Sequence, residues 1–183
     1  MKTFILLITL SVITIFFQSC KKEPAKIILT DDYMPLEVGN FWQFDNSVKE
    51  EIIGTKIINN KTYFILAYQN DTAYYRSENN KIYVIENNMS ESLKFDLTAR
   101  VNDTWKYNSY NVTLSSRSDS VTINSHKIYN CLRFYFDIPV YVDDEYSIWL
   151  APGIGFIQQV CGECIYPLRQ LNAAKIGDQN IDF

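Results

Sequence analysis

Short segments in which apolar and polar residues alternate run through most of this chain, and asparagine-rich pairs separate them. The alternation is clear in residues 61–68, 81–86 and 127–136. The separating pairs are Asn59-Asn60, Asn70-Asp71, Asn79-Asn80 and Asn87-Asn88. Asparagine and aspartate tolerate the left-handed backbone conformation that two-residue hairpin turns require. The pattern therefore predicts a series of antiparallel hairpins.

The residue types of the body agree with this interpretation. From Ile27 onward isoleucine outnumbers leucine by 18 to 10, and all 13 tyrosines lie in this part of the chain. β-Branched and aromatic side chains suit a pleated, half-buried surface, and we find no convincing amphipathic helix. We expect an all-β fold, in which an antiparallel meander forms a sandwich or a half-open barrel.

Two parts of the body contain similar segments in the same order. Val38–Ser47 matches Val101–Ser109, with the tryptophans Trp42 and Trp105 separated by 63 residues. Further matches relate residues 58–63 to 123–129 and residues 75–85 to 149–157. Two units are too few for a solenoid, which needs at least about three. We predict pseudo-repeats at about 38–97 and 101–171, two related half-sheets of one domain spanning 33–183.

The first twenty residues have the composition of an export signal. Lys2 precedes the apolar stretch Phe4–Phe17, and Gln18-Ser19-Cys20 follows it. A fourteen-residue helix is about 21 Å long, too short for a hydrocarbon core of roughly 30 Å. We therefore predict a signal peptide over residues 1–19.

A cysteine after a small residue at the end of such a stretch resembles the lipobox of bacterial lipoproteins, although Phe17 stands where leucine is usual. The resemblance puts the lipid, including palmitate, on Cys20, with residues 20–32 as the tether. Stable anchoring needs two membrane-binding signals, for example two acyl chains, and a lipidated cysteine of this kind carries more than two chains. The expected partner is therefore a membrane. The alternative is an ordinary secretory signal with an incidental cysteine.

Three motifs carry a second resemblance: Tyr33–Trp42, residues 97–105 with Trp105, and residues 146–157 with Ala151-Pro152-Gly153. They are similar to a family of uncharacterised lipoproteins from Bacteroidota-type bacteria, in which a glycine is usual at the position of Asn102. The resemblance covers residues 33 to about 160 and implies no enzymatic activity. With Lys21-Lys22 following Cys20, it implies a cell outer membrane lipoprotein that faces the periplasm.

The charge balance limits the choice of partners. The chain has 17 Lys and Arg against 21 Asp and Glu, a net charge of -4. No segment offers the concentration of cations that holds a phosphate backbone, so we expect no nucleic-acid binding.

The three cysteines of the body allow several chemistries. Cys131, Cys161 and Cys164 could form a Cys₃His zinc site with His126, the only histidine. In an oxidising compartment one disulfide plus one buried thiol is the more usual outcome, and the pairing stays open. A redox-active pair would require a helix after the first cysteine. We predict a structural disulfide among the three, with no metal and no cofactor.

A few further residues are candidates for ligand binding, modification or close packing. Trp42, Trp105 and Trp149 are candidates for lining a ligand site between the sheet layers. Thr72 and Ser120 follow aspartate and precede an aliphatic or small residue, a pattern that resembles the O-glycosylation acceptor of exported proteins in these bacteria. Glycine at position 155, within a predicted strand, indicates a bulge or the close approach of another segment.

No catalytic motif stands out, so we predict a non-catalytic binding or structural interaction module. Its partner would be an apolar ligand or an envelope protein. The alternative is a hydrolase acting on envelope glycans through carboxylates, which have no fixed spacing in sequence. An enzyme of this kind requires two converging carboxylates with shifted pKa values, whereas a carrier requires an apolar cavity.

Overall fold

The protein is described by a computed structural model, in which residues 30–44, 48–87, 90–141, 144–162 and 169–183 are placed. Every regular element in these ranges is a β-strand. The strands are β1 (Phe41–Phe44), β2 (Lys49–Ile58), β3 (Lys61–Tyr68), β4 (Asp71–Glu78), β5 (Lys81–Ile85), β6 (Ser92–Asp96), β7 (Thr104–Tyr107), β8 (Tyr110–Ile123), β9 (His126–Asp137), β10 (Tyr146–Ala151), β11 (Gly155–Cys161), β12 (Arg169–Ile176) and β13 (Gln179–Asp182). The predicted all-β class is confirmed.

Two six-stranded antiparallel meanders make up the sheet. Strands β1–β6 form the first and β7–β12 the second, and β1 pairs with β12 where they join. The outer strands β6 and β7 also lie against each other, although no ladder joins them in the described ranges. The sheet is therefore a nearly closed barrel, the second of the two forms expected, and β13 extends it beside β12.

Two-residue turns of left-handed residues connect several strands, as predicted. Asn59 and Asn60 have φ of 50° and 60°, and Asn79 and Asn80 have φ of 53° and 57°. One prediction is wrong by a residue: the turn after β3 uses Gln69 and Asn70, because Asp71 already pairs with Tyr68 in the next ladder. The pair at 87–88 is described only for its first member, and Asn88 lies outside the described residues.

The turns before β1 and β7 have the same hydrogen bonds. Before β1, Gly39 N donates to Ile52 O (2.8 Å) and Ile52 N donates to Asn40 O (2.9 Å). Before β7, Asn102 N donates to Leu114 O (2.8 Å) and Leu114 N donates to Asp103 O (3.1 Å). Gly39 and Asn102 both have positive φ, 94° and 73°. Asn102 therefore adopts the positive φ that Gly39 adopts in the corresponding turn.

Residues 30–38 cover the barrel end at which β1 begins, here called the capped end. Gly153 N donates to Asp32 O (2.7 Å), and the Tyr33 hydroxyl donates to Asn130 O (2.9 Å). The side chain of Met34 is buried in the core. Strands that start at the opposite end, among them β2, β4 and β6, run towards the cap because all neighbours in the sheet are antiparallel.

Gly155 lies where the covering segment and the barrel wall meet. A Cβ atom built there would be 3.2 Å from Pro35 Cδ and from two atoms of the Trp42 ring. The Trp42 indole nitrogen also donates to the carbonyl of Ile154 at 2.6 Å. The close approach predicted for Gly155 is confirmed.

Candidate functional site

Side chains fill the interior of the barrel. Large apolar residues of both meanders are fully buried there, among them Phe95, Phe134, Phe136, Leu132 and Leu150. The interior space found among the described residues measures about 110 Å³, and Lys94, Glu50 and Arg169 are part of its lining. Sites for drug-sized ligands have about 300–1,000 Å³. The structure thus gives no support to an apolar ligand held between the sheet layers.

The three tryptophans proposed as ligand contacts do not line one common site. Trp42 faces the interior and is 1% exposed. Trp105 packs edge-on against Phe134, with ring centroids 6.0 Å apart. Trp149 lies on the face of β10 opposite Ile148 and Leu150, where it is nevertheless only 9% exposed; its nitrogen donates to Asp119 Oδ2 at 2.9 Å and Arg133 covers its ring. Period-two alternation along β10 places it on the opposite face of the sheet.

A charged cluster, which sequence reasoning missed, lies inside the barrel near the end opposite the cap. Lys94 Nζ is 2.8 Å from Glu86 Oε1, and Tyr107 donates its hydroxyl proton to Glu86 Oε2 at 2.6 Å. Lys94 also donates to the Tyr75 hydroxyl at 3.1 Å. We call Tyr75, Glu86, Lys94 and Tyr107 the Lys94 cluster.

A β-bulge explains why a lysine points inward here. Ile82 is paired with Phe95 and Tyr83 with Leu93, so Lys94 is the extra residue on β6. Bulges re-aim side chains, and this one lets Lys94 and Phe95 both line the interior.

Within the Lys94 cluster, the pKa shifts of Lys94 and Glu86 favour the charged forms of both groups. Burial would lower the pKa of Lys94, but the nearby Tyr75, Tyr107 and Glu86 raise it well above its usual value. Burial likewise opposes ionisation of Glu86, and the charge of Lys94 with three hydrogen bonds lowers the pKa of this carboxyl. A general acid or base should have a pKa near the working pH, so the cluster is suited to structure rather than proton transfer.

A recess of about 530 Å³ lies on the outer surface of the first meander. We call it the outer groove; it is lined by Lys56, Ile57, Ile58, Asn59, Lys61, Tyr63, Tyr74, Ile85, Ser90 and Glu91. The paired residues Phe64 and Tyr75 pack against the core, so their strand neighbours Tyr63, Tyr74 and Arg76 face outward. Tyr63 is only 2% exposed although it is no member of the core cluster.

The carboxylate of Glu91 closes one side of the outer groove. It accepts hydrogen bonds from Tyr63 Oη (2.5 Å), Arg76 Nε (2.8 Å) and Lys61 Nζ (2.8 Å), and lies 2.7 Å from Arg76 Nη2. Burial works against the charged form, but these donors lower the pKa of Glu91 to about 2. No sequence pattern signals this cluster, because its members come from β3, β4 and the connection before β6.

The carboxylates do not have the properties expected for the predicted hydrolase alternative. Glu86, Glu91 and Asp96 have lowered pKa values, each beside its own cation: Lys94 for Glu86, Arg76 and Lys61 for Glu91, and Lys81 for Asp96. A glycosidase acid needs a raised pKa. Among the described residues, no carboxyl group has a resolved shift in that direction.

The cysteines are only partly described. Cys131 is a free, buried thiol, and burial raises its pKa to about 11. The pairings that would cross-link Cys131 are therefore wrong, since its sulfur lies in the core. Cys161 Sγ lies 3.2 Å from Glu145 O, and the pairing of Cys161 with Cys164 stays a prediction because Cys164 lies outside the described residues.

The other predicted site residues have these positions. His126 begins β9 and contacts the ring of Phe183, and the described ranges contain no group of three or more potential metal ligands. Thr72 and Ser120 are exposed, as an acceptor must be, and their glycosylation stays a prediction. Cys20 lies outside the described residues. A membrane-spanning helix is not found among the described residues.

Comparison with known proteins gives no relative: no family model, no curated protein and no solved structure matches the chain. Function is therefore inferred from the geometry of the outer groove and the filled barrel.

Proposed function

We propose that this protein is a non-catalytic binding module of the bacterial envelope, anchored by lipid on Cys20, and that its ligand occupies the outer groove. The ligand class that fits best is a segment of envelope glycan. The observation that carries the proposal is an outer recess of about 530 Å³ with a mixed aromatic, aliphatic and polar lining, beside a barrel whose interior is filled. That volume lies within the range of ligand sites, whereas the interior space does not. A second recess of about 630 Å³, beside Asp32 and Arg117, is lined mostly by charged and polar residues.

The lining of the groove supports a polar ligand with an apolar face, as sugars have. Tyr74 offers an aromatic ring, and Lys56 Nζ lies 4.9 Å from the centroid of that ring. Asn59 and Ser90 add an amide and a hydroxyl to the lining. Ile58, which pairs with Lys61 on the outer face, adds an aliphatic side chain. Mixed aromatic, aliphatic and hydrogen-bonding groups of this kind fix the orientation of a ligand.

The length of the tether limits the distance between the barrel and the membrane. Nine residues separate Cys20 from Thr30, and nine extended residues span at most about 32 Å. The capped end would therefore lie near the membrane, and because β2 runs towards that end, the edge of the groove at residues 57–61 would lie on the membrane side.

A double substitution with a matched control tests the proposal. Lys56→Ala with Tyr74→Ala removes one lysine–tyrosine pair from the groove. Lys127→Ala with Tyr129→Ala removes an equivalent pair elsewhere, whose lysine nitrogen lies 5.1 Å from the tyrosine ring centroid. The assay is isothermal titration of the mature protein with solubilised envelope polysaccharide.

We expect the groove variant to bind at least tenfold more weakly than the wild type and the control variant to bind normally. Equal binding by both variants would contradict the groove as the site. Release of new reducing ends from the polysaccharide by the wild-type protein would instead favour the hydrolase alternative.

A further inference from the structure

The groups around Glu91 form a complete carboxylate-binding site. Arg76 is a planar guanidinium that contacts Glu91 Oε1 through two nitrogens, at 2.8 Å and 2.7 Å. The Tyr63 hydroxyl donates to the same oxygen, and Lys61 donates to the other. Charge-assisted bonds of this kind are the strongest that a carboxylate accepts in a protein.

Arg76 is held in place by groups other than Glu91. Its side chain is 8% exposed, and Glu78 Oε2 accepts a hydrogen bond from its Nη1 at 2.8 Å. The guanidinium also lies over the ring of Tyr83, 4.4 Å from the centroid. An arginine fixed by stacking and a second ion pair keeps its orientation when one partner leaves. The site is thus preformed for a carboxylate from any source.

Glu91 is the less constrained half of this contact. Its side chain is 23% exposed, compared with 8% for Arg76, and it belongs to the connection between β5 and β6 rather than to a strand. The groove beside it is open and includes the cation of Lys56. A ligand lying in the groove could therefore present a carboxylate where that of Glu91 now lies.

We propose that Lys61, Tyr63 and Arg76 bind the carboxylate of an acidic sugar, and that Glu91 occupies this site until the ligand displaces it. The inference rests on the proposed function for the position of the ligand. Displacement exchanges one carboxylate for another, so the donors keep their bonds and the Glu91 carboxylate regains water. A ligand carboxylate can bind only in molecules whose site Glu91 has left. The apparent affinity for the ligand is therefore reduced in proportion to the fraction of molecules with a free site.

Removing the competitor is the test. The variant Glu91→Ala empties the site, and Glu91→Gln keeps the side-chain shape without the charge. Glu51→Ala is the matched control, because it also removes one negative charge paired with a lysine, Lys49, but leaves Glu91 and the groups that hold Arg76 in place. The probes are sodium galacturonate and uncharged galactose at constant chloride concentration, and NMR titration of the mature protein gives each dissociation constant.

We expect Glu91→Ala to bind galacturonate at least tenfold more tightly than the wild type, with a smaller gain for Glu91→Gln. Galactose binding should stay unchanged. Adding Lys61→Met to Glu91→Ala should reverse much of the gain, because one donor is lost. Equal affinities of wild type and both Glu91 variants would overturn the inference, as would an equal gain in Glu51→Ala.

The outcomes separate this inference from the proposed function. If polysaccharide binding depends on Lys56 and Tyr74 but Glu91→Ala gains nothing, the groove stands and the carboxylate site is refuted. If Glu91→Ala gains galacturonate binding while the Lys56 and Tyr74 substitutions change nothing, the carboxylate site stands and the glycan groove is refuted.

Discussion

Substituting Gly155 by alanine tests how the covering segment is fitted to the barrel. Gly155 has φ of +91°, a conformation that residues with a Cβ rarely adopt. The added methyl group would meet Pro35 Cδ and the Trp42 ring at 3.2 Å. Neither neighbour can move easily, since the proline ring is rigid and the Trp42 indole is held by its hydrogen bond to Ile154.

Two contributions to the free energy of unfolding follow from this geometry. The positive φ destabilises an alanine by about 1–2 kcal/mol. Forcing an extra methyl group into a packed contact destabilises by about 1–3 kcal/mol more. We therefore expect Gly155→Ala to lower the free energy of unfolding by about 2–5 kcal/mol.

Gly39→Ala is the matched control. Gly39 has nearly the same φ, +94°, but no atom lies within 4 Å of the position that an added methyl group would take. This variant should lose only the conformational part, about 1–2 kcal/mol. Urea denaturation followed by tryptophan fluorescence measures both values. An equal loss in the two variants would refute the reasoning, because the contact with Trp42 and Pro35 would then contribute nothing.

Three further predictions concern ionisable groups. The pKa of Glu91 is lowered to about 2, so its ionisation stabilises the fold above the unfolded-state pKa of about 4.3. This stabilisation is lost as the pH falls towards 2. In acid denaturation, the free energy of unfolding of Glu91→Gln should therefore fall less steeply between these pH values than that of the wild type. The thiol of Cys131 is buried and its pKa is raised to about 11, so it should react with a thiol reagent in urea but only slowly in the native protein, and fast native labelling at this residue would contradict its burial. Lys94→Met should lower the free energy of unfolding by about 3–5 kcal/mol, because Glu86 is left buried without its cation. Thermal unfolding of the double variant with Glu86→Leu should show part of that stability regained. If none is regained, the two charges are not coupled.

Local features of this fold were predictable because they depend on neighbours in sequence. The turns at 59–60 and 79–80 follow from asparagine's tolerance of positive φ, and β3, β5 and β9 follow from alternation over a few residues. The glycine at position 155 indicated a close approach without naming the partner segment.

The closure of the barrel and the charged sites depend on contacts between distant residues. Pairing of β1 with β12 joins Trp42 to Ala174, and no local pattern distinguishes this ladder from a sandwich. The bulge that turns Lys94 inward leaves no mark in sequence, because Lys94 simply stands between two apolar residues. Trp149 is as buried as a core residue, yet strand alternation places it on the outer face of β10, where Asp119 and Arg133 contact it.

The most direct test of the central claim is a map of where an acidic sugar binds. Backbone amide NMR shifts of Glu91→Ala would be followed during titration with galacturonate. The account predicts saturable shifts at Lys61, Tyr63 and Arg76, with none at Lys94 or Glu86 inside the barrel. Shifts confined to those interior residues, or none at all, would contradict it.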